Sequence, residues 1–246
     1  MIIGSQFIFC KDIESTNTYA AGLLQSGTVP EGTIIYANYQ SAGRGQKGNR
    51  WESEDAKNLL FSTVLFPITV KPEDQFIISI FISLGICDFL KMHIPDCKIK
   101  WPNDIYVGDD KIAGILIENF IISDAIKYSI AGIGLNINQE VFPEELPNPV
   151  SLKILTVKEY DLDYCLKQLA GFIDLRYKQV ISGSWEKLRN QYISSLYQLN
   201  RWHKFKSENG VFQGKIVSVS DSGCLAIEEI AGKIHEFRFS EVEFTL

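Results

Sequence analysis

Glycine and basic residues alternate in the stretch Ser41-Ala-Gly-Arg-Gly-Gln-Lys-Gly-Asn-Arg-Trp51. Its glycines, at positions 43, 45 and 48, have the spacing of a dinucleotide-binding loop. Such a loop must be followed by a helix, and by an acidic residue ~20 positions later that binds the ribose. Residues 49–57 have no apolar periodicity and run into a strand pattern, and residues 62–66 contain no acid. The sequence therefore argues against a dinucleotide site.

The same loop places flexible backbone N–H groups among three cations, Arg44, Lys47 and Arg50. Donors and cations together suit an anion such as a phosphate or a carboxylate. A surface hairpin with solvated charges would have the same composition. The loop by itself leaves both interpretations open.

An acid and a base form the second candidate for chemistry. Asp104 closes the motif Lys100-Trp-Pro-Asn-Asp104, and Lys111 opens the motif Lys111-Ile-Ala-Gly-Ile-Leu-Ile-Glu118. A Gly108-Asp-Asp110 turn between them predicts a hairpin that would bring the two side chains close together. An ordinary Pro-Asn turn followed by a hairpin explains the pattern as well.

Two further stretches could contact a ligand. Ser15-Thr-Asn17 consists of preferred helix N-cap residues, and capping is compatible with ligand binding. Gly132 and Gly134 interrupt a predicted strand, which indicates close approach by a ligand or by another backbone. Simple packing would account for these glycines equally well.

Composition limits the possible functions. The chain has 246 residues, 46% hydrophobic, with a net charge of -6, which argues against a broad grip on nucleic acid or anionic lipid. Five cysteines and three histidines are scattered without metal-ligand spacing, as expected for thiols in a reducing cytosol. The N-terminus lacks a secretory pattern, and the apolar window 76–87 is too short to span a bilayer. We expect a cytoplasmic protein.

The elements that must position these residues are read from periodicity and turn signals. Strands are predicted at 6–10, 33–39, 58–66, 98–100, 105–107, 111–118 and 128–138, and helices at 15–26, 73–93, 161–182 and 184–196. Short β runs at 210–219, 223–227 and 233–239 predict a small antiparallel barrel. We therefore expect an α+β domain of residues 1–198 and a β domain of residues 199–246 that leans on it.

In this order, the stretches resemble the biotin protein ligases, or biotin–[acetyl-CoA-carboxylase] ligases. The matching residues are Ser15-Thr-Asn17, Gln40, Ala42-Gly-Arg-Gly45, Trp51, Asn58-Leu59, the motifs 100–104 and 111–118, and Gly132-Ile-Gly-Leu-Asn136. The resemblance implies a catalytic domain like that of class II aminoacyl-tRNA synthetases, a mixed sheet flanked by helices, with a C-terminal SH3-like β-barrel. Only 14 residues precede Ser15, so we expect the monofunctional type without an N-terminal DNA-binding domain.

The resemblance also implies a reaction in two steps. Biotin and ATP, with Mg²⁺, give biotinyl-5′-AMP, and a lysine of a biotin carboxyl carrier protein or domain then takes the biotinyl group. The acceptor would belong to acetyl-CoA carboxylase or a related carboxylase. Neither nucleic acid nor a membrane is expected as a partner, and the chain could be a monomer or a homodimer.

Roles for individual residues follow from the same resemblance. Arg44, Lys111 and Asp104 would be catalytic, with Asp104 acting either as a Mg²⁺ ligand or as a base. Residues expected to contact biotin or biotinyl-AMP are Ser15, Thr16, Asn17, Gln40, Arg44, Gly45, Gln46, Trp51, Lys111, Gly114, Ile115 and Gly132. Residues expected on the ATP side are Lys47, Asn103, Asp104 and Asn136.

One departure and two alternatives accompany this hypothesis. Gln46 stands where many relatives have the second arginine of Arg-Gly-Arg, so retention of the adenylate is in question. A lipoate or octanoate ligase would share the fold, but Ser15-Thr-Asn17 and Gln40 favour a polar ring over an acyl chain. A binding module without turnover is the other alternative, and the presence of Arg44 and Lys111 argues against it.

Overall fold

The computed structural model describes residues 1–245, except for the side chain of Lys47. Seven strands form the main sheet in the order β1-β2-β3-β7-β6-β5-β4. They are β1 Phe7–Ile13, β2 Ile34–Gln40, β3 Leu59–Leu65, β4 Lys98–Lys100, β5 Asp104–Val107, β6 Asp110–Ile122 and β7 Ala125–Leu135. β1 and β2 pair in parallel and all other neighbours are antiparallel, which confirms the predicted mixed sheet.

Helices cover this sheet. They are α1 Thr16–Ser26, α2 Phe76–Leu90, α3 Leu152–Thr156, α4 Leu162–Ile181 and α5 Trp185–Ser194. Helix α2 is apolar on nearly all sides and lies in the centre of the core, as expected for a helix enclosed by other elements. Asp161 precedes helix α4 as its N-cap residue, and its carboxylate accepts a hydrogen bond from Tyr164 N–H in the first turn.

Cross-strand register brings the predicted motifs together in the middle of the sheet. One row joins Asp104 on β5, Gly114 on β6 and Gly134 on β7. The next row joins Leu116, Gly132 and Ser62. Two glycines side by side leave a gap on one face of the sheet, into which larger side chains can pack. This gap is where the candidate site lies.

A second antiparallel sheet follows in the chain, as predicted, and its closure into an SH3-like barrel stays a prediction. Its strands are β8 Trp202–Ser207, β9 Gly210–Val219, β10 Leu225–Glu229, β11 Ile234–Phe237 and β12 Val242–Phe244, in the order β11-β10-β9-β8-β12. Its buried side chains, including Phe205 and Ile216, belong to the same apolar cluster as the core around α2. Trp101 Nε1 also donates to the Gly223 carbonyl at 2.9 Å. The small sheet therefore packs against the large domain. The predicted domain boundary at residue 198 stays a prediction.

Most predicted elements agree with the structure within a few residues. The helix predicted over 73–93 begins instead as a 3₁₀ turn at Pro72–Asp74, and α2 proper follows it. Strand β12 and the five-residue helix α3 were not predicted, because runs this short give little periodicity. Strand β8 was not predicted either. Among the described residues, no helix combines the length and the apolar character needed to cross a bilayer.

The cysteines are free thiols, in agreement with the sequence prediction. Cys87, Cys97 and Cys165 are buried, and desolvation raises the pKa of the Cys165 thiol to about 11. This thiol therefore stays protonated near neutral pH and acts as a core residue.

Two helical glycines allow a matched test of the packing. An added Cβ at Gly85 of α2 would lie 2.9 Å from Ile173 Cγ1 of α4, whereas Gly171 has open space around it. We expect Gly85→Ala to destabilise the fold by about 1–3 kcal/mol through overpacking. Gly171→Ala should stabilise it by roughly 0.5–1 kcal/mol through helix propensity. Urea denaturation curves measure both, and equal effects of the two substitutions would contradict the described packing of α2 on α4.

Candidate active site

A cavity of about 230 Å³ lies between the start of α1, the glycine loop and the gap in the main sheet. All twelve residues predicted to contact biotin or the adenylate line it, as do Asn103 and Asp104. The other lining residues are Asn49, Arg50, Pro102, Leu116, Ile133, Gly134 and Phe239. Of these, the sequence had singled out Arg50 as a cation of the loop and Gly134 as a point of close approach. The motifs are far apart in the chain, and the sheet register brings them together.

Buried polar side chains form a network at one end of this cavity. Gln40 Oε1 accepts a hydrogen bond from the backbone N–H of Thr16 at 2.7 Å and lies 3.1 Å from the Thr16 hydroxyl oxygen. Asn17 Nδ2 donates to Glu118 Oε2 at 2.7 Å and to the Leu116 carbonyl at 3.3 Å. Since both neighbours of Nδ2 are acceptors, the orientation of the Asn17 amide is fixed.

Ser62, which is fully buried in β3, joins the two halves of the network. Its Oγ lies 2.7 Å from Thr16 Oγ1 and 2.6 Å from Asn17 Oδ1. An amide oxygen cannot donate, so the single Ser62 proton must go to Asn17 Oδ1, and Ser62 accepts from Thr16. Sequence reasoning missed Ser62, although a serine inside the apolar run Leu59-Leu-Phe-Ser-Thr-Val-Leu65 was a usable signal.

Ser15 precedes α1 in an extended conformation, as an N-cap residue does. Its hydroxyl makes no capping hydrogen bond, although the residue is only 4% exposed. Among the described atoms, Gln40 Nε2 likewise has no hydrogen-bond acceptor. Both groups line the cavity and can therefore hydrogen-bond to a ligand.

The strand glycines make room for side chains. A Cβ at Gly132 would lie 2.3 Å from Asn17 Oδ1, and a Cβ at Gly134 would lie 2.2 Å from Trp51 Cε2. At Gly114 it would lie 2.9 Å from Trp51 Cζ3. The sequence predicted close approach by a ligand or by another backbone; the side chains of Asn17 and Trp51 approach these glycines, and the glycines also line the cavity, so approach by a ligand stays a prediction. The glycines serve the site by admitting these two residues.

Lys111 and Asp104 form the predicted acid and base pair, with Nζ 2.8 Å from Oδ1. The Lys111 ammonium also lies 5.6 Å from the centroid of the Trp51 ring, within the range of a cation–π contact. These three residues line both the first cavity and a neighbouring cavity of about 490 Å³. The acid, the base and the indole ring therefore stand at the junction of two spaces.

The glycine loop is a short hairpin. Arg44 pairs with Arg50 across it, and Gly45 N–H donates to the Asn49 carbonyl at 2.7 Å. The helix that a dinucleotide site would need is absent from this described stretch, because Gln46–Gly48 forms only one 3₁₀ turn before strand β3. The backbone N–H groups of Gly45, Asn49 and Trp51 donate within the loop and are therefore not available to an anion.

Two buried polar atoms near the loop have no hydrogen-bond partner within the described structure, Gln46 Oε1 and Trp51 Nε1. Both residues line the first cavity. Unpaired buried polar atoms are costly, and they mark places where a ligand or a water would bind. Arg44 itself is paired, with Nη2 2.7 Å from Glu118 Oε2.

The residues expected on the ATP side separate in the structure. Asp104 and Asn136 line the second cavity, whereas Asn103 lines only the first. Asn103 Nδ2 donates to the Ile115 carbonyl, and Asn136 Nδ2 donates to the Val150 carbonyl. Both side-chain amides are therefore hydrogen-bonded to the backbone. The side chain of Lys47 lies outside what the structure describes. The ATP roles of these residues stay predictions.

This fold and this site define a ligase class with known structures. The chain is similar to the biotin protein ligase from Aquifex aeolicus in complex with biotin and ATP, with a TM-score of 0.82, 27% identity and coverage of 98% of this chain and 100% of that one. Residues 9–136 match the family model described as the biotin/lipoate A/B protein ligase family. The chain belongs to this family.

Two proteins that are similar to this chain in sequence are also named as ligases. The bifunctional ligase/repressor BirA of Bacillus subtilis is 27% identical over 237 residues, which are 94% of this chain and 72% of that protein. The biotin–[acetyl-CoA-carboxylase] ligase of Mycobacterium tuberculosis is 29% identical over 167 residues, 66% of this chain and 60% of that protein.

The network around Ser62 predicts a measurable loss of stability. Ser62→Ala leaves Asn17 Oδ1 buried without a donor, which should cost about 1–3 kcal/mol. Ser83→Ala is the matched control, because the Ser83 hydroxyl is equally buried but has no hydrogen-bond partner within the part of the chain that the structure describes. Denaturant unfolding compares the two variants. A Ser62→Ala protein as stable as the Ser83→Ala protein would disprove the assigned hydrogen bonds.

Proposed function

We propose that this protein joins biotin to ATP, forming biotinyl-5′-AMP and pyrophosphate, and then transfers the biotinyl group to a lysine of a carboxyl carrier protein. The observation that supports this proposal most strongly is the polar end of the first cavity, where Ser15, Asn17 and Gln40 are held in place. Membership of the biotin/lipoate A/B protein ligase family supports the reaction type. The named biotin ligases among its relatives support the substrate.

The polar end of the cavity favours biotin over lipoate. The ureido ring of biotin has one carbonyl and two N–H groups, and burying them unpaired would be costly. Gln40 Nε2 can donate to the carbonyl, while the Ser15 hydroxyl can accept from a ring N–H. A lipoyl or octanoyl chain has no polar group at that end and would leave this network without partners.

Adenylation brings two anions together, the biotin carboxylate and the α-phosphate of ATP. Lys111 stands at the junction of the two cavities, where it can neutralise both as the new bond to phosphorus forms. Arg44 supplies a second cation from the loop. Asp104 holds the Lys111 ammonium in place, and the Trp51 ring forms the wall that covers the biotin side.

ATP would occupy the second cavity, one wall of which is formed by Phe142 and residues 145–149. Among the described residues, no three His, Cys, Asp or Glu side chains are arranged to hold a metal ion. Mg²⁺ commonly binds through substrate phosphates, waters and one or two carboxylates, and Asp104 can be such a ligand. When bound, the ion would neutralise phosphate charge.

The second step consumes the adenylate. The acceptor lysine amine attacks the biotinyl carbonyl, the new C–N bond forms, and the C–O bond to phosphate breaks with release of AMP. The amine must lose a proton, and Asp104 is the only carboxylate among the described residues that line the first cavity. We assign the base role to Asp104 at this stage. We place the reaction in a reducing cytosol, in line with five free cysteines.

Intact-mass spectrometry of a carboxyl carrier domain tests this function. Incubated with the protein, biotin and Mg-ATP, the carrier should gain one biotinyl group only when ATP is present. Lipoate should give no adduct. A lipoyl adduct alone would assign the chain to lipoate, and bound biotin without any adduct would favour a module that binds but does not turn over.

Lys111→Ala tests the catalytic assignment. Loss of a preorganised cation at the reacting phosphate should slow adenylation about 10²–10³-fold with the fold intact. Lys127→Ala is the control, since Lys127 is an exposed residue of the same sheet outside both cavities. Pyrophosphate release gives the rates, and full activity in Lys111→Ala would remove this residue from the reaction.

Gln46 should determine how long the adenylate is held. Gln46→Arg adds a cation at the cavity and should slow escape of biotinyl-5′-AMP by about tenfold, the effect of one charge-assisted hydrogen bond. Rapid filtration of preformed complex measures the escape rate. Gln46→Lys serves as a comparison, because a lysine lacks the planar fork of arginine. Unchanged escape in both variants would contradict this role.

A further inference from the structure

We infer that Glu118 is a positioning residue that couples the polar end of the biotin cavity to the Arg44 loop. This inference rests on the proposed function. Glu118 does not line the cavity, so it acts through the residues that it holds. It closes the motif 111–118, and no role was predicted for it from the sequence.

The inference begins with one shared oxygen. Glu118 Oε2 accepts from Asn17 Nδ2 at 2.7 Å and from Arg44 Nη2 at 2.7 Å. Asn17 belongs to the network at the polar end of the cavity, and Arg44 belongs to the glycine loop. A single carboxylate oxygen therefore links two parts of the site that are otherwise contributed by separate elements.

On the Asn17 side, the carboxylate fixes which way the amide points. With Nδ2 facing Glu118 and the Leu116 carbonyl, Oδ1 must face Ser62. A neutral amide at position 118 could present either an oxygen or an NH₂ group to Asn17. The orientation of Asn17 would then be less strongly determined, and the ring of biotin would meet a less ordered surface.

On the Arg44 side, the ion pair ties the loop to the sheet. Within residues 43–51, every other hydrogen bond stays inside the loop, for the side chains that the structure describes. The guanidinium has five N–H donors, and Glu118 uses only one nitrogen, Nη2. Holding Arg44 by this edge leaves its other donors free for the phosphate of the adenylate.

A double-mutant cycle tests this coupling. Glu118→Gln should weaken biotin binding and speed release of biotinyl-5′-AMP, each by about tenfold, as expected for loss of one charge-assisted hydrogen bond. In an Arg44→Ala background, Glu118→Gln should still weaken biotin binding but add no further acceleration of release. Titration calorimetry with biotin and rapid filtration of the preformed adenylate complex give the two quantities.

A control variant distinguishes this positioning role of Glu118 from a role in stability alone. Glu228→Gln is the matched control, because Glu228 forms an ion pair with Lys215 at 3.1 Å in the second sheet. It should leave biotin affinity and adenylate release unchanged. Melting temperatures of both glutamine variants separate a loss of stability from a loss of coupling.

Two results would overturn the inference. One is unchanged adenylate release in Glu118→Gln, and the other is an acceleration of equal size with and without Arg44. Failure of the proposed function would look different, since the wild-type protein would then form no biotinyl-5′-AMP from biotin and ATP. The two failures are therefore distinguishable in the same experiment.

Discussion

Asn17 must satisfy both ends of a buried amide, and much of the site follows from this requirement. Gly132 has no side chain because the amide oxygen occupies the space of its Cβ. Ser62 provides the proton for that oxygen, and Glu118 and the Leu116 carbonyl accept from the nitrogen. A half-satisfied buried network is worse than an apolar one, so these residues function as a set.

A second consequence is the division of the site into two spaces. The Trp51 ring fits against the sheet where Gly114 and Gly134 leave room, and Lys111 lies near its face. One space ends in fixed hydrogen-bonding groups, and the other is larger and bounded by Phe142 and residues 145–149. The only charged pair at their junction in the described structure is Lys111 with Asp104. The fold thus places the Lys111 cation where the two anionic substrates would meet.

Local sequence signals predicted the features that depend only on residues close together in the chain, such as helix ends and hairpins. The start of α1 at Ser15 and its end at Gly27, and the hairpin that joins Asp104 to Lys111, were all readable from turn and cap residues. The roles of Ser62 and Glu118 could not be read in this way. Ser62 contacts Asn17, 45 positions away, and Glu118 contacts Arg44, 74 positions away, so strand register determines both contacts. The strand glycines were noticed, but what fills the space above them depends on tertiary packing.

The central claim is that the polar end of the first cavity is preformed for the ureido ring of biotin. A crystal structure of the protein with biotin tests it most directly. We predict the ring at Ser15, Asn17 and Gln40, with the carboxylate directed toward Lys111 and the network around Ser62 unchanged. A ring bound elsewhere, or an acyl tail inserted at the polar end, would contradict the account.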